Sequence, residues 1–378
     1  MHLLKVQDMP RQKRILLVRQ DRIGDVVLST HIPRAIKKYW KNSYVAVLVS
    51  KYSKDVYLYN PYVDKIIIYD DIHPKGLKNF LIKLKEIRRY KFNHALMLLP
   101  SERINYMLFF AGIFRRVGVG QKFFQFITFT KEVSRHKYIP LRHEADYCMD
   151  LARAIGIQSN DLKPEIFLSE SERLRVKKIR TKAKEENKYL IGLNTTSKNS
   201  SPNLSMDSYI KLIKQLQRIP NLQIILTDYQ IDDELKNLDG VEYPDIGKPL
   251  RNTIVDIAAL DCLISSSTGP MHIAAALGIF TISIFCTLSA CSWERWGPLG
   301  NKHEIILPDE NFCGIECPGD PKACTLSYNR GIGTEKILSI IQTFLQEKEL
   351  RTNSHNLKKD IIRHRPKYYR LIDSMTSF

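Results

Sequence analysis

The sequence predicts an α/β protein made of two Rossmann-like domains whose parallel sheets face a central cleft, and three observations carry that expectation. Short leucine-rich and β-branched runs alternate with stretches of helical apolar spacing; the alternation breaks at a charged, weakly apolar segment; and it then begins again. Alternating β and α elements imply parallel strands joined by right-handed crossovers. A chain of 378 residues is long enough for two such cores.

The first strand is expected at Arg14–Arg19, "RILLVR", an apolar run of the kind buried on both faces of a parallel sheet. The turn "QDRIGD" follows, and from Asp25 the residues Val26, Val27, Ile32, Ala35 and Ile36 recur at helical spacing. Further strands are expected at Tyr44–Ser50, Lys65–Asp70 and His94–Pro100, with helical segments between them. "MLFFAGIF" within Ser101–Phe114 and "FFQFITF" at Phe123–Phe129 are the most apolar stretches of this half. Packing against the sheet is the expected role for both, with a lipid-facing surface as the alternative.

A helix is expected around His143–Ile155, and the low-hydrophobicity segment Ser169–Lys188 marks the boundary between domains. Beyond it, strands are expected at Tyr189–Asn194, Leu222–Thr227 and Cys262–Ser266, with helices near Asp207–Gln217 and Asp232–Leu238. Glu335–Glu349 reads as a final amphipathic helix. The expected organisation is therefore a first Rossmann-like domain at residues 1–168, a second at 169–350, and a basic tail at 351–378, solvated or in contact with an anionic membrane.

Fifty-eight Lys and Arg against forty Asp and Glu leave a formal charge of +18, which favours phosphorylated partners. No run reaches the roughly 18 apolar residues of a membrane span, and Met1–Arg14 lacks the apolar centre of a secretory signal, so a cytoplasmic protein is expected. No recognition helix, RNA-binding aromatic signature or zinc finger supports nucleic acid. Cys148, Cys262 and Cys286 sit among apolar neighbours and read as reduced core residues. Cys313, Cys317 and Cys324 follow a C-x3-C-x6-C spacing with Cys291 upstream, which a four-thiolate zinc or iron site could use. The pattern lacks paired C-x2-C knuckles; packing cysteines and no metal are expected.

Inverting sugar transfer needs a carboxylate to take the acceptor proton, and positive charge or oriented amides on the leaving diphosphate. "DRIGD" supplies Asp25, with Gly24 permitting the turn; a helix-capping role for Asp25 is the competing reading. "SSSTGPMHIAAALG" at Ser265–Gly278 is a strand end, a small-residue turn and an Ala-rich helix. The amides of Thr268, Gly269 and Met271 are placed there to hold a pyrophosphate, and His272 adds a hydrogen bond or a charge, or else simply packs under the loop.

Together these segments resemble the ADP-heptose:lipopolysaccharide heptosyltransferases and their relatives, family-nine glycosyltransferases of the GT-B architecture. The resemblance rests on "ILLVRQDRIGDVVLSTHIPRAIK", "RRVGVG" at Arg115–Gly120, "RHEADYCMDLARAIGI" at Arg142–Ile157, "STGPMHIAAALG" and "ERWGPLG" at Glu294–Gly300, in order from about Ile15 to about Ile341. It implies Asp25 as catalytic base and Thr268, Gly269, Pro270, Met271 and His272 as the loop on the donor diphosphate. It implies a threonine-rich donor turn, here Thr195, Thr196 and Ser197, with Lys198 displaced from the family's lysine position. Many members carry Asp before the T-G-P turn where this chain has Ser267, a shorter and uncharged hydrogen-bonding group.

The implied activity is metal-independent transfer of heptose from ADP-heptose, a substrate and not a cofactor, to a phosphorylated, lipid-linked inner-core saccharide at the cytoplasmic face of the inner membrane. Ser267 keeps open transfer of another sugar or glycosylation of a protein. A catalytically silent nucleotide-sugar or nucleic-acid binding protein is the alternative from another class.

Overall fold

The computed structural model describes residues 12–70, 76–197, 201–321, 323–326 and 330–363, the last thirteen as backbone alone. Strands β1 (Arg14–Val18), β2 (Tyr44–Val49), β3 (Lys65–Ile68), β4 (His94–Met97), β5 (Arg115–Val119) and β6 (Lys131–Val133) form one sheet in the order β3-β2-β1-β4-β5-β6. Strands β7 (Tyr189–Asn194), β8 (Leu222–Leu226), β9 (Val241–Glu242), β10 (Cys262–Ser266), β11 (Phe280–Ile284) and β12 (His303–Ile306) form a second, in the order β12-β11-β10-β7-β8-β9. Every paired neighbour is parallel. Each sheet reverses its winding once, between β1 and β4 and between β7 and β10. Such reversals open a crevice at the carboxyl ends of the strands, where ligands bind in open α/β sheets.

The two-sided burial expected of the first strand is visible in its packing. Ile15 and Leu17 join one apolar cluster, while Leu16 and Val18 join another on the opposite face. The first cluster does not stop at its own sheet: it continues to Leu190, Leu263 and Ile273 of the second half. The described residues up to Ile332 accordingly form one compact unit containing both sheets, and those from Gly333 onward form another.

Several expectations need correction. The boundary segment Ser169–Lys188, for which no element was expected, holds the helix Glu170–Glu185, which starts at a capping box between Ser169 and Glu172. Ser169 accepts from the Glu172 amide at 3.2 Å and its own amide donates to Glu172 at 2.8 Å. Its sparse apolar content hid it from periodicity. The helix expected near Asp232–Leu238 shrinks to a single 3₁₀ turn, Asp233–Leu235. Helix Thr334–Arg363 runs past Glu349 into the basic tail, whose residues 364–378 lie outside the described ones. The apolar stretches of the first half bury only part of themselves. Met107, Leu108 and Ile113 are inside, but Phe114, Phe123, Phe126 and Phe129 are 78–88% exposed.

Candidate active site

Asp25 stands in the first turn of the short helix Ile23–Val27 that follows β1. It is not the cap. Arg22 occupies that position, without a side-chain capping bond, and Asp25 instead accepts from the Arg19 guanidinium at 2.5 Å. Arg19, itself buried, also donates to Asp21 at 2.7 Å and lies 3.5 Å from Glu144. Burial pushes the Asp25 carboxyl above the ordinary carboxylate range; Arg19 opposes the shift and the neighbouring Glu144 charge adds to it. Burial likewise lifts Asp21 to about 6 against the same arginine. A part-exposed carboxylate of raised proton affinity, held in place by one arginine, has what a general base requires.

Glu144 is the buried hub behind this turn. It is 1% exposed and meets Arg135 at 2.8 Å and Arg295 at 3.5 Å as well as Arg19. Arg295 follows β11, so the hub joins the two sheets' halves, and the His143 ring reaches across to the Gly297 carbonyl at 3.0 Å. Arg251 makes a third crossing, bridging Glu172 to the Asp55 carbonyl at 3.0 Å.

At the end of β7 the turn Thr195–Thr196 is wrapped around one carboxylate. Asp228, 1% exposed at the end of β8, accepts from the Thr195 and Thr196 amides at 2.8 and 2.9 Å, from their hydroxyls at 3.1 and 2.6 Å, and from Asn194 at 2.6 Å. Burial still raises its pKa, against all of these donors. Thr195, Thr196 and Ser197 line a cavity of about 840 Å³ whose other walls include Tyr229, Lys236 and Cys324. That volume lies within the range of small-molecule sites. Lys198 lies outside the described residues.

The T-G-P turn follows β10. Thr268 precedes the helix Gly269–Ala276, with Pro270 in its first turn, and no side chain caps the helix start. The Thr268 hydroxyl bonds Asn194 at 3.0 Å and Ser265 at 2.8 Å, so the turn is tied to β7. Ser267 is half-buried, whereas Met271 and His272 are buried. His272 carries no charge at neutral pH, since burial and the neighbouring His143 depress its pKa to about 3. It therefore brings shape to the site, and neither it nor Ser267, Thr268, Gly269, Pro270 or Met271 lines the cavity.

What His272 touches is the Asp25 turn. A β-carbon on Gly24 would lie 2.7 Å from its Cδ2, and one on Gly269 would lie 3.1 Å from Ile23. The two glycines let the turns of the two sheets meet almost backbone to backbone. Gly24 is needed for that approach and not for an unusual backbone angle, which corrects the expectation that it permits the turn: it sits inside the helix, and its φ is not positive.

Sequence reasoning missed Arg19, Glu144, Asp228 and Arg295. For Arg19 and Asp228 a signal existed: each is a charged residue ending or directly following an apolar strand run, where the sheet buries it. Glu144 and Arg295 lie inside the quoted segments "RHEADYCMDLARAIGI" and "ERWGPLG", but only the fold pairs them.

The profile of glycosyltransferase family 9 (heptosyltransferase) matches residues 82–317, more than half of the chain. The chain belongs to glycosyltransferase family 9. A Haemophilus influenzae protein provisionally named as a glycosyltransferase is 25% identical over 313 residues, covering 78% of this chain and 89% of its own. The fold is that of solved family 9 structures. One from Veillonella parvula has a TM-score of 0.69 at 19% identity, over 89% of this chain and 97% of that one. The E. coli ADP-heptose lps heptosyltransferase II has a TM-score of 0.67 at 16% identity, over 89% and 99%. Both sheets thus belong to the GT-B fold, and this family 9 chain is a glycosyltransferase.

Proposed function

We propose that this family 9 glycosyltransferase moves a heptose from ADP-heptose onto a sugar of the lipopolysaccharide inner core with inversion, using Asp25 as general base. The observation that carries the reading is the meeting of the Asp25 turn with the T-G-P turn, through Gly24, Gly269 and His272. It sets a carboxylate of raised pKa beside an uncapped helix start. Asp25 takes the proton of the acceptor hydroxyl as that oxygen bonds to the anomeric carbon. The bond from that carbon to the diphosphate breaks, and ADP leaves with the electron pair. The amides of Gly269 and Met271, at the positive end of their helix, stabilise the departing charge in place of a cofactor. The cavity beside Thr195, Thr196 and Ser197 suits the nucleotide.

Acceptor delivery from an anionic membrane surface agrees with the +18 charge and with the exposed phenylalanines of the first half, Phe114, Phe123, Phe126 and Phe129. No described helix is long and apolar enough to cross a membrane. The presence of Ser267 favours a second reading, in which a related sugar is transferred or a protein is the acceptor.

A melting panel with ADP, UDP, GDP and CMP tests the donor, because a ligand selective for the folded state raises the midpoint by mass action. ADP is expected to give the largest shift. A preference for UDP or GDP removes the heptose assignment and leaves the family intact.

A further inference from the structure

Arg19 directly follows β1 and is 2% exposed, yet every edge of its guanidinium is taken. Its Nε donates to Asp21 at 2.7 Å and one terminal nitrogen donates to Asp25 at 2.5 Å. The other terminal nitrogen donates to the Leu98 carbonyl at 3.4 Å and to the Cys148 sulfur at 3.3 Å. The nitrogen that serves Asp25 also lies 3.5 Å from Glu144. A planar fork held on three sides has one orientation, so its other partners set the direction from which it meets Asp25.

Glu144 is the most deeply placed of those partners. It opens the helix Glu144–Arg153, whose start is capped by His143, so its charge sits at the positive end of that helix. Besides Arg19 it meets Arg135 at 2.8 Å and Arg295 at 3.5 Å. Both of those guanidiniums lie over the Tyr138 ring, at 5.8 and 3.7 Å from its centre, and Arg295 reaches in from the second half of the chain. Three carboxylates and three arginines are thereby largely removed from water. That removal costs several kcal/mol per ion, and apolar residues of similar volume often serve stability as well or better. What the cluster yields is a fixed geometry at its open end, where Asp25 keeps 16% of its side chain exposed beside the T-G-P turn.

The partners pull Asp25 in opposite directions. Burial raises its pKa, Arg19 and Arg22 lower it, and Glu144 raises it. Asp21, Tyr52 and Cys148 face the same carboxyl from the turn after β1, the turn after β2 and the Glu144 helix. His272, on the opposing turn, is neutral.

We propose that Arg19 and Glu144 are positioning residues for sugar transfer: Arg19 aims the Asp25 carboxylate, and Glu144, held by Arg135 and Arg295, fixes Arg19. The assignment rests on Asp25 as the base. It adds that the base is aimed from both halves of the chain, because Arg295 closes the cluster from the helix Trp293–Trp296.

The test is the pH dependence of kcat/KM for ADP release from ADP-heptose with a phosphorylated inner-core acceptor, whose acidic limb reports the proton affinity of the base. Arg19→Gln removes a cation from Asp25 and should move that limb to higher pH by ~1 pH unit or more; Glu144→Gln removes an anion and should move it to lower pH by ~0.5. In both, kcat should fall about tenfold or more even where the base is ionised, with donor KM nearly unchanged. Asp150→Asn lies on the same helix but pairs with Arg142 and Arg153 outside the cluster, and should leave the limb in place. The same opposite shifts should appear without any substrate in the NMR titration of the Asp25 carboxyl carbon, in protein labelled with ¹³C-aspartate and assigned by the signal that Asp25→Asn loses. If either buried substitution fails to fold, Arg295→Gln decides, since it touches Glu144 and not Asp25: its limb should move to higher pH. An unmoved limb and carboxyl titration in the deciding variants, shifts of one sign in Arg19→Gln and Glu144→Gln, or an equal shift in Asp150→Asn would each overturn the proposal. Asp25→Asn, assayed alongside, separates the two assignments. Near-normal turnover removes the base and the positioning role with it, whereas an inactive Asn variant beside unmoved limbs removes the positioning role alone.

Discussion

The Arg19 guanidinium donates to the Asp25 carboxylate at 2.5 Å, and this contact separates the two roles a carboxylate can take at a helix start. A capping Asp accepts from backbone amides of its own helix; Asp25 is held by a side chain from the preceding strand end. Asp25→Asn keeps the shape and removes the proton acceptor. Turnover, read as ADP release with a phosphorylated inner-core acceptor, is expected to fall by roughly 100-fold or more, with the melting temperature and ADP affinity nearly unchanged. Near-normal turnover would take Asp25 out of the mechanism.

Gly24→Ala places a methyl 2.7 Å from the His272 ring, closer than packed atoms tolerate. Overpacking of this kind costs about 1–3 kcal/mol. The same change separates the two turns, so activity should drop further than stability does. In a double-mutant cycle His272→Ala should relieve part of the loss, since residues in contact couple by ~0.5–3 kcal/mol. Strict additivity in urea unfolding would show that the turns do not press on each other.

Acid stability should carry the mark of His31. It is fully buried, neither ring nitrogen has a well-aligned hydrogen bond, and burial together with Arg34 lowers its pKa to about 3. Between that value and the ~6.5 of an unfolded histidine, the unfolded chain binds a proton that the folded chain refuses, so stability falls as pH drops through this window. Asp245, lifted to about 7 by burial and by Asp256, works in the opposite sense, gaining stability as its folded form protonates first. His31→Leu isolates the histidine contribution. Relative to the unsubstituted chain, the variant should gain about 2.5–3 kcal/mol between pH 7.5 and pH 4.5 in denaturant unfolding. Parallel stability curves would refute the assignment.

The exposed phenylalanines offer a change that leaves the core alone. Phe123→Ser with Phe126→Ser should reduce flotation with anionic phospholipid vesicles by at least about tenfold, because each buried aromatic is worth ~1.5–3 kcal/mol. Melting should not move, as both side chains are about four-fifths exposed. Unchanged flotation would leave the patch without a membrane role.

The central strands and the two principal turns were legible in the residues themselves, because burial on both faces demands apolar runs such as Ile15–Val18 and Cys262–Ile264. Two of the edge strands were not: Lys131–Val133 and Val241–Glu242 are short and polar, and pairing with a neighbour makes them strands. β11 escaped for a different reason, since Thr281 and Ser283 interrupt its apolar pattern yet are fully buried.

Sequence alone therefore determined the α/β class, the family resemblance, and Asp25 and the T-G-P turn as the residues to watch, all of which depend on local pattern. Only the tertiary structure decided that Arg19 holds Asp25, that Asp228 organises the Thr195–Thr196 turn, that Glu144 meets Arg295 from the other half, and that Cys313 reaches the Cys286–Cys291 turn. These partners are brought together by strand order and by packing between sheets. A charge or a thiol carries no mark in the sequence of the distant group that will neutralise or bind it; that pairing exists only once burial removes water as the competing partner.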